Sequence, residues 1–367
     1  MPSWCTGETE RKYIDWFFTN TGLPNDPGAS GWSGWEGSYP MVATDSNGMS
    51  SGNRYNLTHE FIHVLQNACG TVPGNRISWV QESYNDYLIV RLCHWRNGST
   101  PGQSTQFSLP SNIGYPDREV YNQPYVPIEN NGINSSGEAT GPGDYMNDST
   151  GYRYNDLFPL FIDQRVDPHF YPAVWEYAYT SETNLQTMAR LLDETRVKQI
   201  VFEYAARLAL GDFVELSSSI QSRATTGMYA ATSNQNGWLV PSDSNKLPRC
   251  TERNNIPISV SSGASSISVN FDPDSTGSRG TPADMRCQIA CRATDGTCVF
   301  STPVASGTTT INLTKAPRNN VVIAVISNVT LSGYTNAQSY GWDPTERFGY
   351  RIQVTNGSAA SINQKYF

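Results

Sequence analysis

The chain has 367 residues, of which 38% are hydrophobic and only 16% are charged, and its net charge is −8. This length predicts about two domains with a sizeable core, and the 20 Tyr, 13 Phe and 9 Trp argue against a disordered chain. Lysine and arginine are nowhere clustered, so we expect neither nucleic acid nor an anionic membrane as a partner. No apolar run approaches the roughly 20 residues of a membrane-spanning helix.

In chain order, helical spacing or composition predicts helices at residues 8–19, 57–68, 79–93, 154–165, 171–179 and 184–220, a strand at 39–44, and loops at 28–38 and 96–150. The pattern changes near residues 241–248 and becomes alternating and β-branched. Seven strands are predicted at residues 256–261, 265–271, 284–293, 298–303, 308–313, 320–330 and 348–355. The sequence therefore predicts an α+β protein, with a mainly helical domain at residues 1–245 and an all-β sandwich at residues 250–367.

The cysteines favour a secreted protein. The chain begins without a signal-peptide pattern, so it is either cytosolic or a mature form. Among its seven cysteines, Cys291 and Cys298 flank an Asp-Gly turn, which predicts a disulfide-closed hairpin. Cys250 and Cys287 could form a second bridge, and the alternative for all four is a buried free thiol. We expect an extracellular protein.

The chemistry-bearing motif is His59-Glu60-Phe61-Ile62-His63. On a helix, residues four apart share a face, so both imidazoles can bind one metal ion. Glu60 is displaced around the helix and can act on a metal-bound water without binding the metal. The alternative is a helix with two buried histidines that serve only the core.

A catalytic zinc site needs a third protein ligand, and the predicted helix at 79–93 offers Glu82 and Asp86. Eighteen residues separate His63 from Glu82, which suits a turn and an antiparallel second helix. In that hairpin Glu82 would face His63, while Asp86 would accept the other ring N–H of His59. The alternative is that both are ordinary surface acids.

These five positions resemble the gluzincin clan of zinc metallopeptidases, the thermolysin-like group. The resemblance implies zinc ligation by His59, His63 and Glu82, a general-base role for Glu60 and a supporting role for Asp86. It also implies a zincin-like helical domain with a small sheet, although only 58 residues precede the motif. More loosely, the His-Glu-Phe-x-His-x-x-Gln and Trp-x-x-Glu segments resemble secreted avirulence-type proteins of plant-pathogenic bacteria, which would imply a virulence role.

Gluzincin-like enzymes also use a Tyr or His from a later helix to stabilise the oxyanion. Tyr154 is the first candidate because it opens an apolar helical segment, and Tyr152 and His169 are the alternatives. A calcium ion could bind near Asp272 and Asp274 or at residues 144–148, although no complete calcium-binding loop is present.

The sequence thus predicts a secreted, monomeric zinc endopeptidase that holds one Zn²⁺. Its substrate would be a protein or peptide, which could be glycosylated. The mechanism would be hydrolysis by a zinc-bound water that Glu60 deprotonates. The alternative is a metal-containing host-interaction or glycan- or protein-binding protein without general protease activity.

Overall fold

The structure is a computed structural model that describes residues 15–19, 31–36, 39–45, 55–68, 83–85, 87–89, 128, 157–177, 179, 182, 184–213, 220–222, 224–274, 284–331 and 347–367. The fold is mixed α+β. The chain divides into two compact units, the first formed by residues 1–115 and 153–187 and the second by residues 116–152 and 188–367. The expected domains, residues 1–245 and 250–367, stay a prediction.

The first unit contains a three-stranded sheet and the helix that carries the motif. The strands are β1 (Asp15–Thr19), β2 (Gly31–Glu36) and β3 (Tyr39–Asp45), in the order β1-β3-β2. β1 runs parallel and β2 antiparallel to β3. The predicted strand at 39–44 is confirmed. The predicted helix at 8–19 is wrong over residues 15–19, and the predicted loop at 28–38 is wrong over residues 31–36. Both segments become strands because β3 supplies hydrogen-bond partners along its two edges.

The motif helix α1 (Tyr55–Ala68) confirms the predicted helix at 57–68 and packs against β2 and β3. The later helices are α2 (Leu157–Arg165), α3 (Phe170–Tyr177), α4 (Asn184–Leu192) and α5 (Glu194–Leu210). They confirm the predicted helix at 154–165 over residues 157–165 and the predicted helix at 171–179 over residues 171–177. The predicted helix at 184–220 is interrupted at Asp193, whose side chain accepts a hydrogen bond from the Arg196 N–H at the start of α5. The prediction is also wrong over residues 211–213, because Gly211 has a left-handed backbone conformation (φ 59°) that ends α5. Across the described residues, no helix combines the length and apolar character that a membrane crossing needs.

The second unit contains two antiparallel five-stranded sheets. The strands are β4 (Thr232–Gln235), β5 (Trp238–Pro241), β6 (Arg253–Val260), β7 (Ser266–Pro273), β8 (Met285–Arg292), β9 (Cys298–Phe300), β10 (Gly307–Asn312), β11 (Val321–Asn328), β12 (Tyr350–Thr355) and β13 (Gly357–Ala359). One sheet has the order β10-β7-β12-β5-β4 and the other β13-β6-β11-β8-β9. All seven predicted strands are confirmed, and β4, β5 and β13 are additional.

The two sheets pack face to face, with β8 contacting β7 and β10. In β7, Ile267, Val269 and Phe271 are buried while the alternating residues are more exposed, as expected for a sheet with one wet face. All eight residues of β11 are buried. Helix α5 contacts β8 and β11, which explains why those strands are buried on both faces.

A buried ion pair lies where the chain enters β6. The Arg249 Nε donates to the Glu252 Oε1 at 2.7 Å, and the two side chains are only 2% and 0% exposed. Burial raises the pKa of Glu252 to about 7, while Arg249 acts against that rise. Between them, Thr251 has a φ of 61°, and its Oγ1 accepts a hydrogen bond from the Ile128 N–H at 2.9 Å. A positive φ is costly for a β-branched residue, so this turn is held in place by its contacts.

The four described cysteines are free thiols, so neither expected disulfide forms in the structure. Cys298 lies opposite Arg292 in the β8–β9 ladder, whereas Cys291 lies opposite Val299. Neighbouring residues of a strand point to opposite faces of the sheet. Cys291 and Cys298 therefore project to opposite faces of the sheet in the structure, and their disulfide stays a prediction. Cys287 lies in β8, and Cys250 precedes β6. Strand β11 lies between β6 and β8 in the sheet.

Candidate metal centre

Helix α1 has a buried apolar face, and the motif side chains lie at the edge of that face. Ile62 and Val64 are 4% and 2% exposed, and α1 rests on the sheet through its contacts with β2 and β3. His59 is also buried, whereas Glu60 and His63 are half-buried. The apolar face therefore fixes the helix on the sheet and leaves the motif side chains at the margin of the packed layer.

The two imidazoles converge on one point. The Nε2 atoms of His59 and His63 are 3.1 Å apart, and the ring planes are nearly perpendicular at 87°. Two nitrogen lone pairs at this distance repel each other, so either a proton or a cation must lie between them. The spacing of the motif thus brings both rings to one point, as the sequence predicted.

The Nδ1 atom of His63 is 2.8 Å from the Oε1 of Gln66, one helical turn further along α1. An amide oxygen only accepts hydrogen bonds, so the His63 Nδ1 carries the proton and donates it. In a neutral ring this leaves the Nε2 with its lone pair, which is the form that binds a metal.

A second helical segment lies beside α1, as the sequence predicted for residues 79–93. Residues 83–85 and 87–89 are helical. Ser83 and Asn85 are fully buried, and the Asn85 Nδ2 donates to the His59 carbonyl at 2.7 Å. Glu82 and Asp86 lie outside the described residues. The structure therefore places this segment in contact with His59. The expected roles of Glu82 and Asp86 stay a prediction.

Helix α3 meets the end of α1. The Trp175 Nε1 donates to the Gln66 carbonyl at 3.1 Å. Tyr171, also on α3, stacks on Tyr84 with ring centroids 5.1 Å apart. α3 therefore contacts both α1 and the helical segment that contains Asn85.

Of the oxyanion candidates, Tyr154 and Tyr152 lie outside the described residues. His169 lies in the turn between α2 and α3, where its side chain is exposed and its backbone N–H donates to the Asp167 Oδ1 at 2.7 Å. Among the two expected calcium positions, Asp272 forms an ion pair with Arg351 at 2.6 Å. Residues 144–148 are outside the described part of the chain.

Within the described residues, no three His, Cys, Asp or Glu side chains gather closely enough to hold a metal ion. The two histidines supply two of the ligands that a zinc site needs, and the expected third ligand, Glu82, is not described. Sequence reasoning assigned no role to Gln66, Asn85 or Trp175. The spacing of Gln66 three residues after His63 was a usable signal, because such pairs are neighbours on a helix surface. The contacts of Asn85 and Trp175 depend on tertiary packing.

No model of a known protein family matches the chain. No curated protein matches it significantly either.

Proposed function

We propose that this protein is a zinc-dependent endopeptidase. The observation that supports the proposal most directly is the 3.1 Å approach of the His59 and His63 Nε2 atoms. Two ligand nitrogens about 2.05 Å from a tetrahedral zinc ion would lie about 3.3 Å apart. The observed spacing fits this value, and the donor chemistry is that of the commonest zinc ligands.

The assigned proton on the His63 Nδ1 also fits a zinc site, because it leaves the Nε2 lone pair for the ion. The Asn85 contact supports the predicted helix pairing, in which Glu82 provides the third ligand and Asp86 orients His59. Bound Zn²⁺ would supply a Lewis acid and a water of lowered pKa at this position.

The role of Glu60 follows from its position next to His59. As residue i+1 of the motif it is turned by about 100° around α1 from His59. A half-buried carboxylate there can take a proton from the attacking water and pass it to the leaving amine of the peptide. The oxyanion donor would be Tyr154, with Tyr152 or His169 as alternatives. We further propose that the protein is secreted and monomeric, acts on a protein or peptide, and has the virulence role that the looser resemblance implies.

The test compares the wild-type chain with Glu60→Gln on a peptide library made from a digested proteome, with the zinc content of each protein measured. We expect the wild type to cut peptides and Glu60→Gln to be inactive while still binding one zinc ion. Glu176→Gln, the same change at an exposed position on α3, is the matched control and should cut like the wild type.

Zinc-loaded wild-type protein that cuts no peptide would refute the endopeptidase proposal. That result would favour the alternative of a metal-containing host-interaction protein, to be followed on folded or glycosylated proteins. A wild type that binds no zinc at all would refute both readings of the site.

A further inference from the structure

We infer that Gln66 is a positioning residue that selects the metal-binding tautomer of His63, and that Trp175 fixes Gln66 for this task. The inference extends the proposed function, because the tautomer matters for a bound metal. It depends on the contacts of Gln66 with His63 and Trp175 within the first unit.

The first step concerns the proton on His63. A neutral imidazole has one N–H and one lone pair, and the two can exchange places. With the N–H on Nδ1, the ring can bind a metal through Nε2. With the N–H on Nε2, the same atom is blocked. The Gln66 Oε1, at 2.8 Å from Nδ1, stabilises the first form because a carbonyl oxygen only accepts.

The second step concerns the rigidity of Gln66. Gln66 is only 6% exposed, so the surrounding packing restricts its side chain. Gln66 and His63 are three residues apart on α1, which places their side chains as neighbours on one face. The acceptor is therefore delivered by the same helix that carries both histidines.

The third step concerns the end of α1. The helix ends at Ala68, so the carbonyl of Gln66 belongs to the last turn. The Trp175 indole N–H donates to this carbonyl at 3.1 Å, and Trp175 is itself 5% exposed. Helix α3 thus caps α1 at the residue that holds the His63 ring, which prevents fraying of the turn where the acceptor lies.

The experiment uses the full chain with ¹⁵N-labelled histidine and the variants Gln66→Met and Gln66→Glu. Met removes the acceptor at similar size, whereas ionised Glu retains an acceptor that cannot donate. Gln199→Met, an exposed Gln-to-Met change on α5, is the matched control. Two quantities are measured: the protonated ring nitrogen of His63 in metal-free protein at about pH 8.5, and zinc affinity by chelator competition.

We expect the His63 proton on Nδ1 in the wild type, in Gln66→Glu and in Gln199→Met. In Gln66→Met we expect a mixture of tautomers and a zinc affinity lower by about 10- to 100-fold, which is the usual effect of losing a hydrogen-bond partner of a ligand. Gln66→Glu should bind zinc at least as tightly as the wild type. If Gln66 had only a structural role, Gln66→Met would not change the tautomer of His63, and Gln66→Glu would have no reason to retain zinc affinity.

The inference is overturned if Gln66→Met keeps the proton on Nδ1 and binds zinc within about twofold of the wild type. It is also overturned if the wild-type His63 carries its proton on Nε2, a result that needs no variant to fold. Failure of the proposed function is distinguishable, because a wild type without zinc affinity would still report the tautomer of His63 and its dependence on Gln66.

Discussion

Replacing Arg249 by methionine would remove one half of a buried ion pair and leave the other half in place. Glu252 has no exposed surface, and its Oε1 is 2.7 Å from the Arg249 Nε. Removing one partner of a buried pair typically costs about 3–5 kcal/mol, because the remaining charge is uncompensated. We expect Arg249→Met to lower the free energy of unfolding of the second unit by that amount at pH 8.

The loss should depend on pH, and its direction follows from the pKa of Glu252. Burial raises that pKa to about 7, above the ordinary value of a free glutamate, so proton uptake favours the folded state as the pH falls through 7. Without Arg249 the pKa rises further, since the guanidinium opposes the effect of burial. At pH 5 the carboxyl is neutral in both folded proteins, so the loss should be smaller than at pH 8 by up to about 1.4 kcal/mol, the free energy of ionising a group of pKa 7 at pH 8.

The assay is urea unfolding at pH 5 and pH 8, followed by tryptophan fluorescence, with hydrogen exchange of the β6 and β11 amides assigning the transition to the second unit. The double variant Arg249→Met with Glu252→Leu should recover to within about 1–2 kcal/mol of the wild type, since an apolar pair replaces the charges. An equal loss at both pH values, or a double variant as unstable as Arg249→Met alone, would refute the reasoning.

Four further changes test other contacts. Asn85→Ala should lower the free energy of unfolding of the first unit by about 0.5–1.5 kcal/mol in thermal unfolding, because it removes the hydrogen bond to the His59 carbonyl. Ile326→Ala, at a fully buried position of β11, should cost about 2–5 kcal/mol in urea unfolding, whereas Arg351→Ala should cost under about 1 kcal/mol because its ion pair with Asp272 is exposed. Gly357→Ala should lower the unfolding temperature and the hydrogen-exchange protection of β13, because the new Cβ would lie 2.8 Å from the Ser259 carbonyl oxygen.

The sequence predicted those elements whose residues carry a strong period of their own. Helix α1 has apolar residues at helical spacing, and β7 alternates over its central residues, so both were predicted close to their observed bounds. β1 and β2 were missed because their pairing with β3, rather than their own pattern, makes them strands. A short apolar run such as that of β1 is compatible with either a helix or a strand.

In the candidate site, too, local sequence spacing predicts some contacts, whereas others depend on tertiary packing. The convergence of His59 and His63 follows from their spacing on one helix, so the sequence was sufficient to predict it. The contacts made by Asn85 and Trp175 join segments that are 26 and 109 residues apart in the chain. No local period encodes such contacts, and they could be found only from the packing of the helices.

The position of β12 has a consequence for how the second unit is synthesised. β12 (Tyr350–Thr355) lies between β7 and β5, so it joins the pair β10–β7 to the pair β5–β4. While a nascent chain has not yet extended beyond residue 349, those two pairs present unpaired strand edges to the surroundings. Such edges are templates for pairing with other chains. The sheet can therefore close only after β12 has been synthesised, although its other four strands precede β12 in the chain.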